Sequence, residues 1–166
     1  MSDLKRLGYS NFIFDITSLE EFKKVREEPD TECSIIYRLP LLDFSGWSEE
    51  LLPELNEEDV MITRISQLTY KDRYNFKRMF ADYTLNVWNS EALNILKNFG
   101  VSMFTAHPEI SFSDSENISN KVGIPLELIY VGKIPLGYTR ACFGELNLCD
   151  KHCGKSCFLV CTNFAI

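Results

Sequence analysis

The sequence has no apolar stretch approaching the roughly 20 residues needed to cross a bilayer. Its opening, MSDLKRLGYSNF, has no positive flank followed by the apolar run of a secretory signal. No membrane partner is expected, and a cytoplasmic location is. Positive charge is in the minority: 17 Lys and Arg face 24 Asp and Glu, for a net charge of −7. That balance counts against a free-standing nucleic-acid binder, whose affinity comes mostly from basic side chains neutralising phosphates, though it leaves room for a local basic patch. The phosphate-binding signatures GxGxxG and GxxxxGK[ST] are missing, and the eight glycines are scattered. GxSxG and HExxH are missing too, which removes two common hydrolase frameworks. Cysteine is nearly absent from the first 141 residues, where Cys33 stands alone.

What is present argues for one folded unit, since 45% of the residues are hydrophobic and 13% aromatic. Six short, β-branched and aromatic runs recur: FIFDI (Phe12 to Ile16), SIIYRL (Ser34 to Leu39), VMITRI (Val60 to Ile65), YTLNVW (Tyr83 to Trp88), VSMFTA (Val101 to Ala106) and LELIYV (Leu126 to Val131). Several are apolar almost throughout, as parallel strands covered on both faces are. Helical segments lie between them. SLEEFKKVREE pairs Ser18 with Glu21 in a capping box, with Pro29 beyond its end. NSEALNILKNFG is capped by Asn89 or Ser90 and closed by Gly100.

This alternation predicts an α/β protein, either an open doubly wound sheet or a (β/α) barrel. A partial TIM-like barrel of about six parallel strands is preferred, because polar residues gather at strand C-terminal ends: Arg38, Arg64, Asn86, His107 with Glu109, and Lys133. Residues 1–138 are assigned to this partial barrel and residues 139–166 to a cysteine-rich segment of the same domain. Six strands fall short of the eight of a closed barrel, and LKRLGY reads as the tail of a helix whose front turns are missing. The expectation is that another chain completes the barrel, or that the sequence is a fragment, because an open sheet edge would otherwise be exposed.

The remaining five cysteines follow the spacing Cys142-x6-Cys149-x3-Cys153-x3-Cys157-x3-Cys161. Steps of four match one face of a helix, where cysteine serves as a small apolar residue. Against that, Asp150, Lys151, His152, Gly154, Lys155 and Ser156 make the stretch polar, with a helix-weakening glycine inside it. One continuous helix also places Cys149 and Cys161 about 18 Å apart, too far for a shared metal centre. Convergent thiols would need a loop. Four thiolates suit an iron–sulfur cluster; structural zinc, with His152 as an added ligand, is the alternative, although its usual CxxC pairs are absent.

Three stretches, ADYTLNVWNSEALNILKNFGV, FTAHPEIS and PLELIYVGKIPLGYTRAC, resemble in order and spacing the C-terminal half of the barrel in the collagenase-like proteins of peptidase family U32. IIYRLP followed by VMITRI also fits. The resemblance runs from about Tyr37 to Cys157 and is strongest at Leu85-Asn86, Asn89-Ser90, Pro108-Glu109-Ile110-Ser111 and the run from Glu127 to Cys142. It implies a TIM-like barrel whose last strand leads into cysteines holding a four-iron, four-sulfur (4Fe-4S) cluster. By position, Cys142 matches the first ligand, Cys149 the second, and Cys153 with Cys157 the later pair. Some members act in oxygen-independent hydroxylation of RNA bases or of ubiquinone precursors, some as pairs of U32 chains, although the family was first named for peptidases. The sequence departs from the pattern in a shorter loop between the second and third cysteines, in the extra candidate ligand Cys161, and in lacking the N-terminal half barrel and the C-terminal extension.

The expectation is therefore a U32-type modifying enzyme or a subunit of one, acting on RNA or a small aromatic molecule, with a second U32-like chain as partner. A U32-type peptidase and a non-catalytic interaction subunit are the alternatives. His107 with Glu109 are candidates for an acid–base pair; the competing reading is that Pro108 fixes a loop and His107 bonds locally. Arg38, Arg64 and Arg140 are candidates for holding an anionic substrate, against a role in salt bridges. Trp47 and Trp88 are assigned to packing.

Overall fold

The computed structural model describes residues 6–27, 33–43 and 46–135. The chain divides into two compact units, Met1–Ile129 and Tyr130–Ile166. In the first, β1 (Asn11–Asp15) is followed by α1 (Leu19–Glu27), β2 (Ser34–Arg38), α2 (Trp47–Leu51) with a 3-10 extension at Leu52–Leu55, and β3 (Asp59–Ile62). A 3-10 segment at Ile65–Asp72 leads to β4 (Arg78–Ala81), a 3-10 turn at Tyr83–Leu85, α3 (Ser90–Asn98), β5 (Val101–Thr105), α4 (Phe112–Val122) and β6 (Leu126–Glu127). In the second unit the described residues, 130–135, carry no helix or strand.

All five pairings are parallel, and the strands stand side by side in chain order, β1 to β6. A doubly wound sheet reverses direction at a switch point. Here none occurs, and the sheet curls into a half-barrel with helices between its strands, the partial TIM-like architecture expected from the sequence.

The helices bury one stripe each against one face of this sheet. Phe22 of α1, Leu51, Leu52 and Leu55, Leu93 and Leu96 of α3, and Ile118 of α4 form a single cluster with Tyr37, Val60, Ile62, Met79, Ala81, Val101 and Phe104. Phe22 meets Tyr37 edge-on, with ring centroids 5.3 Å apart. Side chains alternate across a strand, so Asp59, Met61, Arg78 and Phe80 point to the opposite face. Met61 and Phe80 are buried, yet neither belongs to the helix-side cluster. In β5 the register shifts by one between Met79 and Phe80: Met79 pairs with Val101 but Phe80 with Met103, leaving Ser102 as a bulge whose hydroxyl donates to the Met79 carbonyl.

Local chemistry sets the helix ends. The Ser18 hydroxyl accepts from the Glu21 N–H at 3.2 Å, but the Glu21 carboxylate bonds the Thr17 hydroxyl where the expected box would have it turn back to the cap backbone. Asn89 accepts from the Ala92 N–H at 2.8 Å and caps α3. The chain leaves that helix through Gly100 at φ +89°, a conformation that favours glycine.

Two strand assignments need correction. YTLNVW is not the fourth strand; RMFA, which starts five residues earlier, is. The Asp82 carboxylate accepts from the Thr84 hydroxyl at 2.7 Å and from its N–H at 3.3 Å, which winds Tyr83–Leu85 into a 3-10 turn despite the β-propensity of its neighbours. Asn86, expected at a strand end, is instead the left-handed cap of that turn, at φ +53°. LELIYV is strand only at Leu126–Glu127, and Tyr130 and Val131 beyond it are almost fully exposed.

Candidate functional site

A polar layer forms at the C-terminal edge of the sheet, on the face turned away from the helices. Alternation from Ile36 places Arg38 there, alternation from Met61 places Thr63, and alternation from Phe80 places Asp82. Because Ser102 is bulged out, Met103 and Thr105 join the same face, and register sets Glu127 beside Thr105. The Thr105 hydroxyl donates to the Glu127 carboxylate at 2.5 Å.

Arg38 organises the layer. Its Nε and Nη2 donate to the two carboxylate oxygens of Asp82 at 3.1 and 2.9 Å, reaching from β2 across β3 to the end of β4. Nη1 donates to Asp15 at 2.9 Å. The Arg38 side chain is 13% exposed and that of Asp82 4%. Burial by itself would lower the pKa of this guanidinium, but the bonds and charges of Asp82 and Asp15 outweigh it and push the pKa up. The guanidinium also lies 5.9 Å from the centroid of the Tyr83 ring. Among the two roles considered for this arginine, the structure assigns the salt bridge.

Arg64 differs. It follows β3, where the buried Gln67 side chain gathers the backbone: its Oε1 accepts from the N–H groups of Thr63 at 2.8 Å and Arg64 at 3.1 Å, and its Nε2 donates to the Pro40 carbonyl at 3.2 Å. The Arg64 side chain has no carboxylate partner among the described residues. Its Nε is removed from solvent without a hydrogen-bond acceptor, the condition that a bound anion would relieve.

His107 sits just past β5. Its Nδ1 accepts from the Glu109 N–H at 3.3 Å, so the neutral ring carries its proton on Nε2. The His107 carbonyl accepts from the Ile110 N–H at 3.0 Å, closing a turn that begins at Pro108. The contact between His107 and Glu109 thus runs through the Glu109 backbone, as the local-loop reading expects. The ring stacks obliquely on Trp88, with centroids 5.0 Å apart, and lies 6.5 Å from Tyr83. Trp88, assigned from sequence to packing, is 49% exposed. Trp47 packs against the core as expected.

Lys133 belongs to the second unit and is exposed. Arg140, Cys142, Cys149, Cys153, Cys157 and Cys161 lie outside the described residues. Among the described residues no group of three or more His, Cys, Asp or Glu side chains could hold a metal ion, and Cys33 is the one described cysteine. Sequence reasoning missed Asp15, Asp82, Thr105 and Glu127. Strand alternation carried the signal, but with the fourth strand set too late, Asp82 appeared to precede a strand when it ends one.

Comparison with models of known protein families, with curated proteins and with solved structures gives no match in any of the three. The likeness to family U32 rests on the motifs named above.

Proposed function

We propose that the chain supplies half of the barrel of a U32-like, iron–sulfur-dependent modifying enzyme, acting in oxygen-independent hydroxylation of an RNA base or a small aromatic substrate in the cytoplasm. The observation that carries this reading is the layer Asp15, Arg38, Asp82, Thr105 and Glu127, gathered on one face at the C-terminal edge of a sheet wound in chain order. Barrel enzymes build their sites at that edge. Arg64, whose Nε lacks an acceptor, would hold an anionic group of the substrate. Arg38, committed to two carboxylates, would keep the β2 and β4 ends in place. Cys142, Cys149, Cys153 and Cys157 would hold a 4Fe-4S cluster, with Cys161 as alternate ligand. Their donor chemistry fits: four soft thiolates within one short stretch match such a cluster better than zinc, which more often mixes in histidine. When bound, the cluster supplies electron transfer. A second U32-like chain would supply the missing strands.

The test is the metal content of protein purified without oxygen. About four irons and four sulfides per chain are expected, falling sharply in Cys142→Ala and Cys149→Ala. Stoichiometric zinc, or no metal, overturns the reading.

One observation favours a non-catalytic interaction subunit as a second reading: among the described residues β1 and β6 each pair on one side only, leaving backbone groups free for another chain. A stoichiometric complex that turns over no substrate with its cluster loaded would decide for it. The peptidase reading has less behind it, because His107 bonds no hydroxyl or thiol among the described residues.

A further inference from the structure

Outside the polar layer, a cleft of about 440 Å³ opens between the start of α3, the turn after β5 and one side of α4. Its walls include Trp88, Glu109, Ile110, Asp114, Asn117 and Lys121. The size suits a small ligand.

Trp88 is the unusual wall. Half of a large apolar ring stays in solvent while the core buries Phe22 and Phe104 almost completely. The indole is also held in position. His107 stacks on it, and His107 is itself fixed by the Glu109 N–H through Nδ1. A fixed, exposed indole presents a ring face that attracts cations, and tryptophan is the best of the aromatic residues at this.

The charge around it is negative. Two helix N-termini, of α3 and α4, border the cleft, and each contributes about half a positive charge. Each already has a carboxylate in its own first turn, Glu91 in α3 and Asp114 in α4. Asp114 uses one oxygen to accept from the Ser111 hydroxyl at 2.6 Å and has the other to offer. Glu109 is in no ion pair among the described residues. Lys121 is drawn towards Glu91, 3.8 Å away on the surface. Glu91, Glu109 and Asp114, set against Lys121 and the two helix ends, leave about one net negative charge around the cleft, with Ile110 and Ile118 as apolar floor.

We propose that this cleft is a binding site for an organic cation, an alkylammonium or guanidinium group carried on an apolar stem, seated against Trp88 and neutralised by Glu109 and Asp114. The same chemistry is offered by a free polyamine and by a lysine or arginine side chain of a polypeptide. The site is independent of the barrel reading, since none of its residues belongs to the polar layer or to the cysteine segment.

The test titrates the full chain with choline and with its neutral isostere, in which carbon replaces nitrogen, following tryptophan emission and binding heat. Saturable binding of choline is expected in the millimolar range, with the isostere at least about tenfold weaker. Trp88→Ala should abolish it and Glu109→Gln weaken it several-fold, with the far-UV dichroism and melting temperature of both variants confirming that they fold. Equal binding of the two probes, no binding at millimolar choline, or unchanged binding by folded Trp88→Ala overturns the proposal. Spermidine and an acetylated lysine amide then separate the sources, the tighter binder naming the class. Iron content should be the same in Trp88→Ala as in the parent chain, so failure here and failure of the cluster reading are told apart.

Discussion

Two arginine–carboxylate pairs lie on the same face of the sheet at opposite ends, and they are built differently. At the C-terminal edge Arg38 is 13% exposed, grips buried Asp82 with two nitrogens, and holds Asp15 with the third. At the N-terminal edge Arg78 also grips a buried carboxylate, Asp59, through Nε at 2.9 Å and Nη2 at 2.5 Å, but the arginine is 50% exposed. The bonds to Asp59 raise the pKa of Arg78 against the opposing effect of burial, and the charge of Asp59 adds to the rise. The geometry of the two contacts is nearly the same; the solvent is not. Arg78 joins adjacent strands and remains hydrated, whereas Arg38 spans an intervening strand and has given up most of its water. Dehydrated charge is costly unless fully partnered, and this fold places it at the edge where barrels carry out chemistry.

The sharpest way to break this contrast is Asp82→Ala, which strands the Arg38 charge in a buried site. A loss of about 3–5 kcal/mol is expected, read as a lowered midpoint of chemical denaturation. If Asp82→Ala costs no more than Asp59→Ala, the distinction between the two ends is wrong. Asp59→Ala should cost roughly 1 kcal/mol or less, because the arginine it leaves behind is half-exposed and hydrated, and its effect should shrink further in high salt. Asp15→Asn comes next. That carboxylate is 60% exposed, so a change of a few tenths of a kcal/mol is expected at neutral pH, while Arg38 keeps its grip on Asp82.

The smallest effect is confined to alkaline solution. Tyr37, beside Arg38 on β2 but facing the helices, has a hydroxyl whose pKa is raised above 10.0, first by burial and then by the charge of Glu58, with Arg26 opposing. A raised folded-state value means that the unfolded chain gives up this proton first. Stability is therefore complete below the unfolded value near 10 and is lost as pH climbs from there through the folded value. Tyr37→Phe should melt at a less pH-dependent temperature than the parent above pH 10.

Much of this architecture was legible in the residues themselves. The runs around Phe14, Ile36, Val60 and Phe104 are strands because β-branched and aromatic side chains suit a sheet covered on both sides, and Asn89 and Gly100 announced both ends of α3. The fourth strand was hidden because RMFA opens with a charge and is too short to register, while the more β-prone YTLNVW follows. A single carboxylate, Asp82, decided between them by winding the next residues into a turn, and no windowed propensity contains that bond. The same error concealed the site, since the partner of Arg38 could be identified only once the end of β4 was placed. Arg64 was picked from its position; its missing acceptor is visible only when the packing of Gln67 is known.

The bulge at Ser102 has a further consequence. With one residue unmatched, the second half of β5 presents its side chains in opposite phase to the first, and Thr105 meets Glu127 only for that reason. Drawing Ser102 into the ladder opposite Phe80 would keep the strand's length while exchanging the roles of two neighbours, turning Phe104 towards the polar rim and Thr105 into the oil beneath α3 and α4. A single backbone irregularity therefore acts as a phase setter, and through it one unassuming serine determines which chemistry the final third of the sheet displays.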